Sequence, residues 1–165
     1  MNTFPTLAGF NKWANGRIYD CVAELPDAAY RQDRKAFFGS IHATLNHLLL
    51  VDQLWTGRIK ETPVDINGLT DILHDDFQEL ASARKAEDMA LIDLVAGMSE
   101  DDLQASIDYH SIAGTAGQNT VWMILATLFN HQTHHRGQVH TMLTQASITP
   151  PEMDVIYYAH EIGIS

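Results

Sequence analysis

The chain has 165 residues, of which 45% are hydrophobic, and a formal net charge of -11. This length is enough for a core and a small internal site, and it predicts one domain over residues 1–165. Ten Lys and Arg against 21 Asp and Glu, without a basic cluster, would repel a phosphate backbone, so we expect no nucleic-acid partner.

Three further features predict a soluble cytoplasmic protein with no membrane partner. The first 20 residues contain no signal-peptide core. The longest apolar stretch, Val121 to Phe129, is too short to span a bilayer. The single cysteine, Cys21, excludes an internal disulfide and fits a reducing cytosol.

Apolar residues recur at spacings of three and four along most of the chain, which predicts four helices. Pro26 ends the first apolar stripe, and Ser40 can cap the second helix. On the third helix, we expect Arg84 and Asp88 to lie on a solvated, charged face. The predicted helices cover approximately residues 7–25, 40–59, 70–98 and 120–145.

Apolar and polar residues alternate loosely over residues 106–112, and residues 114–117 are rich in glycine. This pattern predicts an extended crossover between helices three and four. The fold class is therefore all-α, a four-helix bundle that is not simply up-down-up-down. The segment from Pro150 to Tyr158 carries enough apolar surface to pack on the bundle or on a second subunit.

The most informative motif is a histidine pair on the fourth helix. His131 and His135 are four residues apart, so they project from one helix face and can place two imidazoles around one ion. With about 100° per residue, Gln138 shares their face, whereas His140 points to the opposite side. Gly137 lowers helix propensity here and predicts close approach of another backbone or a ligand.

A third imidazole, His47, lies within an apolar run on the second helix. A lone histidine in such a run is more often a hydrogen-bonded core residue, and an isolated HxxxH pair is weak evidence. Three imidazoles that point into one core would be costly if unpaired, and metal coordination satisfies them economically. The five histidines without this geometry are expected on the surface or in loops: His42, His74, His110, His140 and His160.

Several segments resemble the DinB family, which is unrelated to the DNA polymerase that shares the label. The segments that carry the resemblance are 11–15, 40–49 with Asp52, Trp55 and Arg58, 129–140 and 150–157. The resemblance covers nearly the whole chain and implies a DinB/YfiT-like four-helix bundle that binds a divalent metal through His47, His131 and His135. It also makes a homodimer the expected assembly.

Three histidines leave at least one open position on a divalent ion, an arrangement typical of a catalytic site. Zn and Ni are the expected ions, and either would help a thiol or a water molecule to lose its proton. Gln132 replaces the glutamate of the protease motif HExxH, which disfavours peptide hydrolysis, and Gln138 could orient a ligand or substrate.

The sequence leaves two functions open. One is a metal-dependent enzyme with a small-molecule substrate, either an S-transferase or a hydrolase of a small electrophile. The resemblance implies that the S-transferase would use a low-molecular-weight thiol as cosubstrate. The other is a non-catalytic metal-binding protein of the stress response.

Overall fold

The computed structural model describes residues 3–62 and 64–164. Within these ranges the chain forms seven helices and one pair of strands. They are α1 (Phe4–Val22), α2 (Asp27–Arg31), α3 (Ile41–Ile59), α4 (Phe77–Ala96), α5 (Glu100–Gln104), β1 (Ser106–His110), β2 (Ala116–Thr120), α6 (Val121–Gln145) and α7 (Val155–Glu161).

Side-chain caps fix the starts of the three long helices that follow α2. The Ser40 hydroxyl accepts a hydrogen bond from the Ala43 N–H at the start of α3, as the sequence predicts. Thr120 caps α6 in the same way. The expected start of the third helix near residue 70 is wrong, because Asp76 caps α4 and the preceding residues are not helical.

The four long helices form the predicted bundle. Helix α1 packs against α4 and α6, and α3 packs against the same two helices, so α1 lies diagonally across from α3. Helices α4 and α6 then occupy the other diagonal. A chain that leaves α4 must cross the end of the bundle to enter α6, which is the physical reason for the long crossover.

The core has two apolar halves, one toward each end of the bundle. One half contains Ile18, Leu45, Leu80 and Val139, and the other half contains residues such as Leu91 and Leu125. The order in which each helix meets these halves shows that α3 and α4 run in one direction and that α1 and α6 run in the other. Since α3 and α4 are parallel neighbours, the segment between them has to return along the bundle, and it does so without forming a helix at residues 70–76.

A buried polar layer separates the two apolar halves, with side chains from all four long helices. The Arg84 guanidinium donates to Asp52 at 2.7 Å and lies 3.0 Å from Asp88. Asp88 accepts from Asn15 at 2.9 Å, and Gln132 donates to Asp52 at 2.6 Å.

Arg136 completes the layer by donating to the side chains of Asn11, Asn15 and Gln132. The predicted solvation of Arg84 and Asp88 is therefore wrong. Each is buried because it finds a charged or hydrogen-bonding partner on another helix, which a helical pattern alone does not show.

The crossover between α4 and α6 consists of α5 and an antiparallel hairpin. Ser106 of β1 pairs with Thr120 of β2, and His110 pairs with Ala116. Gly117 lets the Tyr109 ring lie against the paired strand, because a Cβ atom on residue 117 would lie 2.8 Å from that ring. The hairpin folds onto α3, where the Tyr109 ring meets Trp55 edge-on at a centroid distance of 5.1 Å.

The C-terminal segment packs on the bundle through α7. Tyr158 contacts the rings of Phe10 and Trp13, and the Trp13 indole donates to Glu161 at 2.7 Å. Of the two packing modes open for this segment, the structure shows the one within the chain. No helix in the described part of the chain combines the length and the apolar character that crossing a membrane would require.

Candidate metal centre

Three histidine side chains meet where α3 packs against α6. His47 lies in the second turn of α3, and His131 and His135 occupy successive turns of α6. One ring nitrogen from each residue lies within 4.8 Å of the others, and the Nε2 atoms of His47 and His131 are 3.0 Å apart. The structure thus brings together the three residues that the sequence selects.

Hydrogen bonds fix the tautomers of two of these rings. The Nδ1 of His47 donates to the carbonyl oxygen of Leu69 at 2.8 Å, and the Nδ1 of His135 donates to Oε1 of Gln138 at 2.7 Å. Both oxygens can only accept, so the proton lies on Nδ1 and each Nε2 keeps its lone pair. Such outer hydrogen bonds orient the histidine ligands of metal sites.

The surroundings keep the imidazoles neutral. Burial, together with the charges of the neighbouring histidines, lowers the pKa of His131 to about 3. Burial also lowers the pKa of His47 and of His135 below the ordinary value. Neutral imidazoles fit a first-row divalent ion, and the Nε2 lone pairs of His47 and His135 are directed by their Nδ1 hydrogen bonds, so the donor set is suited to such a metal.

An aromatic side chain from the loop before α3 covers part of the cluster. The Phe38 ring stacks on His47 with a centroid distance of 4.0 Å and meets His135 edge-on at 5.4 Å. A cavity of about 720 Å³ opens beside His47 and His131, lined mainly by apolar side chains. The cluster is therefore shielded by Phe38 and also accessible to a small molecule.

Gln138 lies where the helix geometry places it, next to His135. Its Oε1 atom accepts from His135, and its Nε2 atom lies 3.3 Å from Nε2 of the exposed His134. Gly137 does not match the prediction of close approach by another backbone, because no other part of the described chain lies within 4 Å of the position its Cβ would take.

His42 is the histidine whose predicted position is wrong. It is buried, its ring meets Tyr30 edge-on, and its Nε2 lies 3.3 Å from the carbonyl oxygen of His74. The burial follows from α2 and the segment before α4, which cover this end of α3. His42 nevertheless does not belong to the three-histidine cluster.

Sequence reasoning missed the partners that surround the cluster. Phe38 and the Leu69 carbonyl come from loops, where no periodic pattern indicates which group turns inward. Asp52 is buried on α3, one turn after Leu48. It accepts a hydrogen bond from Gln132 of α6, and the sequence of neither helix alone predicts this pairing. The Phe37-Phe38-Gly39 run before the Ser40 cap could have indicated an aromatic side chain close to α3.

The fold and the cluster define a helical-bundle protein with three histidines positioned to bind a divalent metal ion. Comparison with known proteins places it more narrowly. The chain belongs to the DinB family, whose model matches residues 1–163.

Two known proteins illustrate this relationship. The chain is 29% identical over 162 residues to Protein DinB of Bacillus subtilis (strain 168), and the match covers 92% of this chain and 91% of that protein. The crystal structure of a DinB-like protein from Bacillus cereus ATCC 10987 superposes with a TM-score of 0.65 at 19% identity. That match covers 86% of this chain and 91% of the other, and it establishes the similarity of fold.

Proposed function

We propose that the protein is a metal-dependent enzyme that brings a small nucleophile to an electrophilic substrate. The nucleophile would be a low-molecular-weight thiol, which makes the protein an S-transferase, or water, which makes it a hydrolase. The observation that carries the proposal is the position of the histidine cluster. His47 and His131 form part of the wall of a cavity of about 720 Å³, whereas a purely structural metal site is normally closed by protein ligands.

The chain's own residues would hold and shield the ion. His47, His131 and His135 would supply the three nitrogen ligands, with Zn and Ni as the preferred ions. Leu69 and Gln138 fix the orientation of two of these rings. When bound, the ion would lower the pKa of a thiol or water molecule in the cavity and so supply a nucleophile near neutral pH.

The remaining polar groups support activation of the nucleophile by the ion rather than by a carboxylate base. No Asp or Glu is among the described residues that line the cavity. Gln132, at the position of the base in HExxH proteases, donates to Asp52 and to the Leu48 carbonyl and has no ionisable group. The geometry therefore favours transfer to a small electrophile over peptide hydrolysis.

Metal analysis tests the centre itself. We expect the purified protein to hold about one divalent ion per chain. His135→Ala should lower the affinity at least about tenfold, and Gln138→Leu should lower it by about ten- to a hundredfold through loss of the ring's hydrogen bond. His140→Ala is the matched control, because it lies on the same helix outside the cluster and should leave metal content unchanged.

Activity is tested on the metal-loaded, the stripped and the reloaded protein. A panel of thiols with monochlorobimane, and a panel of small esters, would report transfer and hydrolysis respectively. Turnover that disappears on chelation and returns on reloading supports the enzyme. A large fall in melting temperature on chelation, with no turnover in the loaded protein, would instead support the non-catalytic metal-binding protein of the stress response.

A further inference from the structure

The cavity beside the histidines contains a cation for which the described residues supply no counter-ion. Arg58 of α3 is the only residue with a permanent charge among the described residues that line it. No carboxylate forms an ion pair with Arg58 in the part of the chain that the structure describes. This is notable in a chain with 21 acidic and ten basic residues, where a carboxylate partner would be easy to supply.

The cation lies in an aromatic corner of the cavity. Its guanidinium carbon is 4.4 Å from the Trp55 ring centroid and 4.7 Å from that of Tyr109. One nitrogen, Nη2, donates to the His110 carbonyl at 2.7 Å. A guanidinium has five N–H donors, so this single bond leaves capacity for a bidentate partner.

The hairpin contacts alone do not account for this arrangement. Arg58 connects α3 to β1 by contacting the His110 carbonyl and the Tyr109 ring. An uncharged side chain could pack on the Trp55 and Tyr109 rings equally well. Burial lowers the pKa of Arg58, which shows that the surroundings disfavour its charge. An unpaired, partly desolvated guanidinium in a cavity is an arrangement that an anionic ligand would stabilise.

The positions along α3 set the shape of such a ligand. His47, Val51, Leu54 and Arg58 follow each other at spacings of four, three and four and so form one stripe along the helix. Eleven residues at about 1.5 Å per residue separate the Cα atoms of His47 and Arg58 by about 16 Å. The Arg58 side chain lies over Trp55, one turn back toward the histidines, which shortens the gap.

We propose that this cavity binds a small molecule with an apolar body and a carboxylate, and that Arg58 holds the carboxylate at the end distant from the histidines. The apolar body would lie along Val51 and Leu54, with its other end near His47 and His131. This assigns a substrate class to the proposed enzyme and depends on the proposed function for its catalytic meaning. Binding of the acid depends on the cavity and Arg58 alone.

The test compares an acid with its neutral amide. Binding of 4-phenylbutyrate and of 4-phenylbutyramide to the full-length protein is measured by calorimetry, as purified and again after chelation. We expect the acid to bind at least about tenfold more tightly in both states, because a guanidinium forms charge-assisted hydrogen bonds only with the acid. In Arg58→Gln the two compounds should bind alike, with the affinity for the amide close to that of the unchanged protein.

Arg17→Gln is the matched control. Arg17 also packs on a tryptophan, Trp13, at 4.6 Å, but it lies outside the cavity, so its replacement should preserve the preference for the acid. Unchanged amide binding in Arg58→Gln shows that the cavity is still folded. Should that variant lose amide binding as well, Arg58→Lys provides the second readout, since it should keep a preference for the acid.

Three results would overturn the proposal. The first is equal binding of acid and amide to the unchanged protein, including the case in which neither binds. The second is a preference for the acid that survives in Arg58→Gln. The third is a preference that disappears on chelation, which would place the carboxylate on the ion. The proposed function fails separately, through absence of turnover in the metal-loaded protein. That failure leaves the binding comparison in the chelated protein unaffected.

Discussion

Replacement of Arg84 by Met should destabilise the bundle strongly through the carboxylates that it leaves unpaired. Arg84 is 2% exposed, and its two partners, Asp52 and Asp88, are 0% and 3% exposed. Removing one member of a buried ion pair costs about 3–5 kcal/mol, because the remaining charge is left without compensation in a poorly solvated site. Domains of this kind have a total unfolding free energy of about 5–15 kcal/mol, so the variant should be close to unfolding.

Urea unfolding at pH 7 measures the loss, and two companion variants define its cause. Lys85→Met removes the same charge from the neighbouring, exposed position of α4 and should cost less than about 0.5 kcal/mol. Arg84→Met combined with Asp52→Asn should recover a large part of the loss, because the Asp88 and Arg136 charges then balance each other in the layer. A loss in Arg84→Met as small as that in Lys85→Met would refute the reasoning.

The loss should also depend on pH in a defined direction. Burial raises the pKa of Asp52 to about 6, and Arg84 is the strongest of the groups that lower it. Without Arg84 the pKa of Asp52 should rise further, so protonation relieves the unpaired charge as the pH falls. The stability deficit of Arg84→Met relative to the unchanged protein should therefore be smaller at pH 5 than at pH 8, and a deficit that grows toward pH 5 would contradict this assignment.

Three other perturbations probe the centre and the packing of α7. In the chelated protein the unfolding free energy should fall as the pH drops from 6.5 to 5. His131→Asn should make this fall less steep by up to about 1.4 kcal/mol per pH unit, and by less after solvent screening. The reason is that a folded-state pKa of about 3 makes the unfolded chain bind the extra proton in this window, and chemical unfolding at both pH values checks it. Phe38→Ala should expose His47, because the Phe38 ring stacks on that imidazole, and should accelerate removal of bound metal by a chelator at least about threefold. An unchanged rate would show that Phe38 does not shield the ion. Gly9→Ala should displace α7, because a Cβ atom there would overlap the Tyr158 hydroxyl, and faster proteolysis after residue 150 would report it.

The sequence predicts the parts of this molecule that depend on local periodicity. The apolar stripes of α1, α3 and α6 coincide with the observed helices to within a few residues, and Ser40 caps α3 as predicted. The three histidines could be selected because two lie one turn apart on one helix and the third lies in an apolar run on another. In each case the helix repeat alone determines which side chains share a face.

Non-local pairing accounts for what the sequence did not predict. Arg84 and Asp88 have the spacing of an ordinary surface ion pair, and only Asp52 and Asn15 on other helices make their burial favourable. Residues 70–76 have a helix-compatible pattern, but they form the return segment that two parallel neighbouring helices require. Loop-borne partners such as Phe38 are set by the path of the loop, which no repeat encodes.

The polar layer and the histidine cluster are linked by their positions on α6. Gln132 directly follows His131, and Arg136 directly follows His135, so each histidine lies about 100° around the helix from a member of the layer. Hydrogen bonds from Gln132 to Asp52 and from Arg136 to Asn11 and Asn15 fix which side of α6 faces the centre of the bundle.

With that rotation fixed, His131 and His135 point to one side of the bundle centre, toward the boundary with α3, where His47 meets them. An apolar layer would tolerate a small rotation of α6, whereas such a rotation would break the hydrogen bonds that Gln132 and Arg136 form with the other helices. The buried polar residues therefore orient the imidazoles before an ion binds, and Arg84 contributes to this by pairing with Asp52, which accepts the hydrogen bond from Gln132.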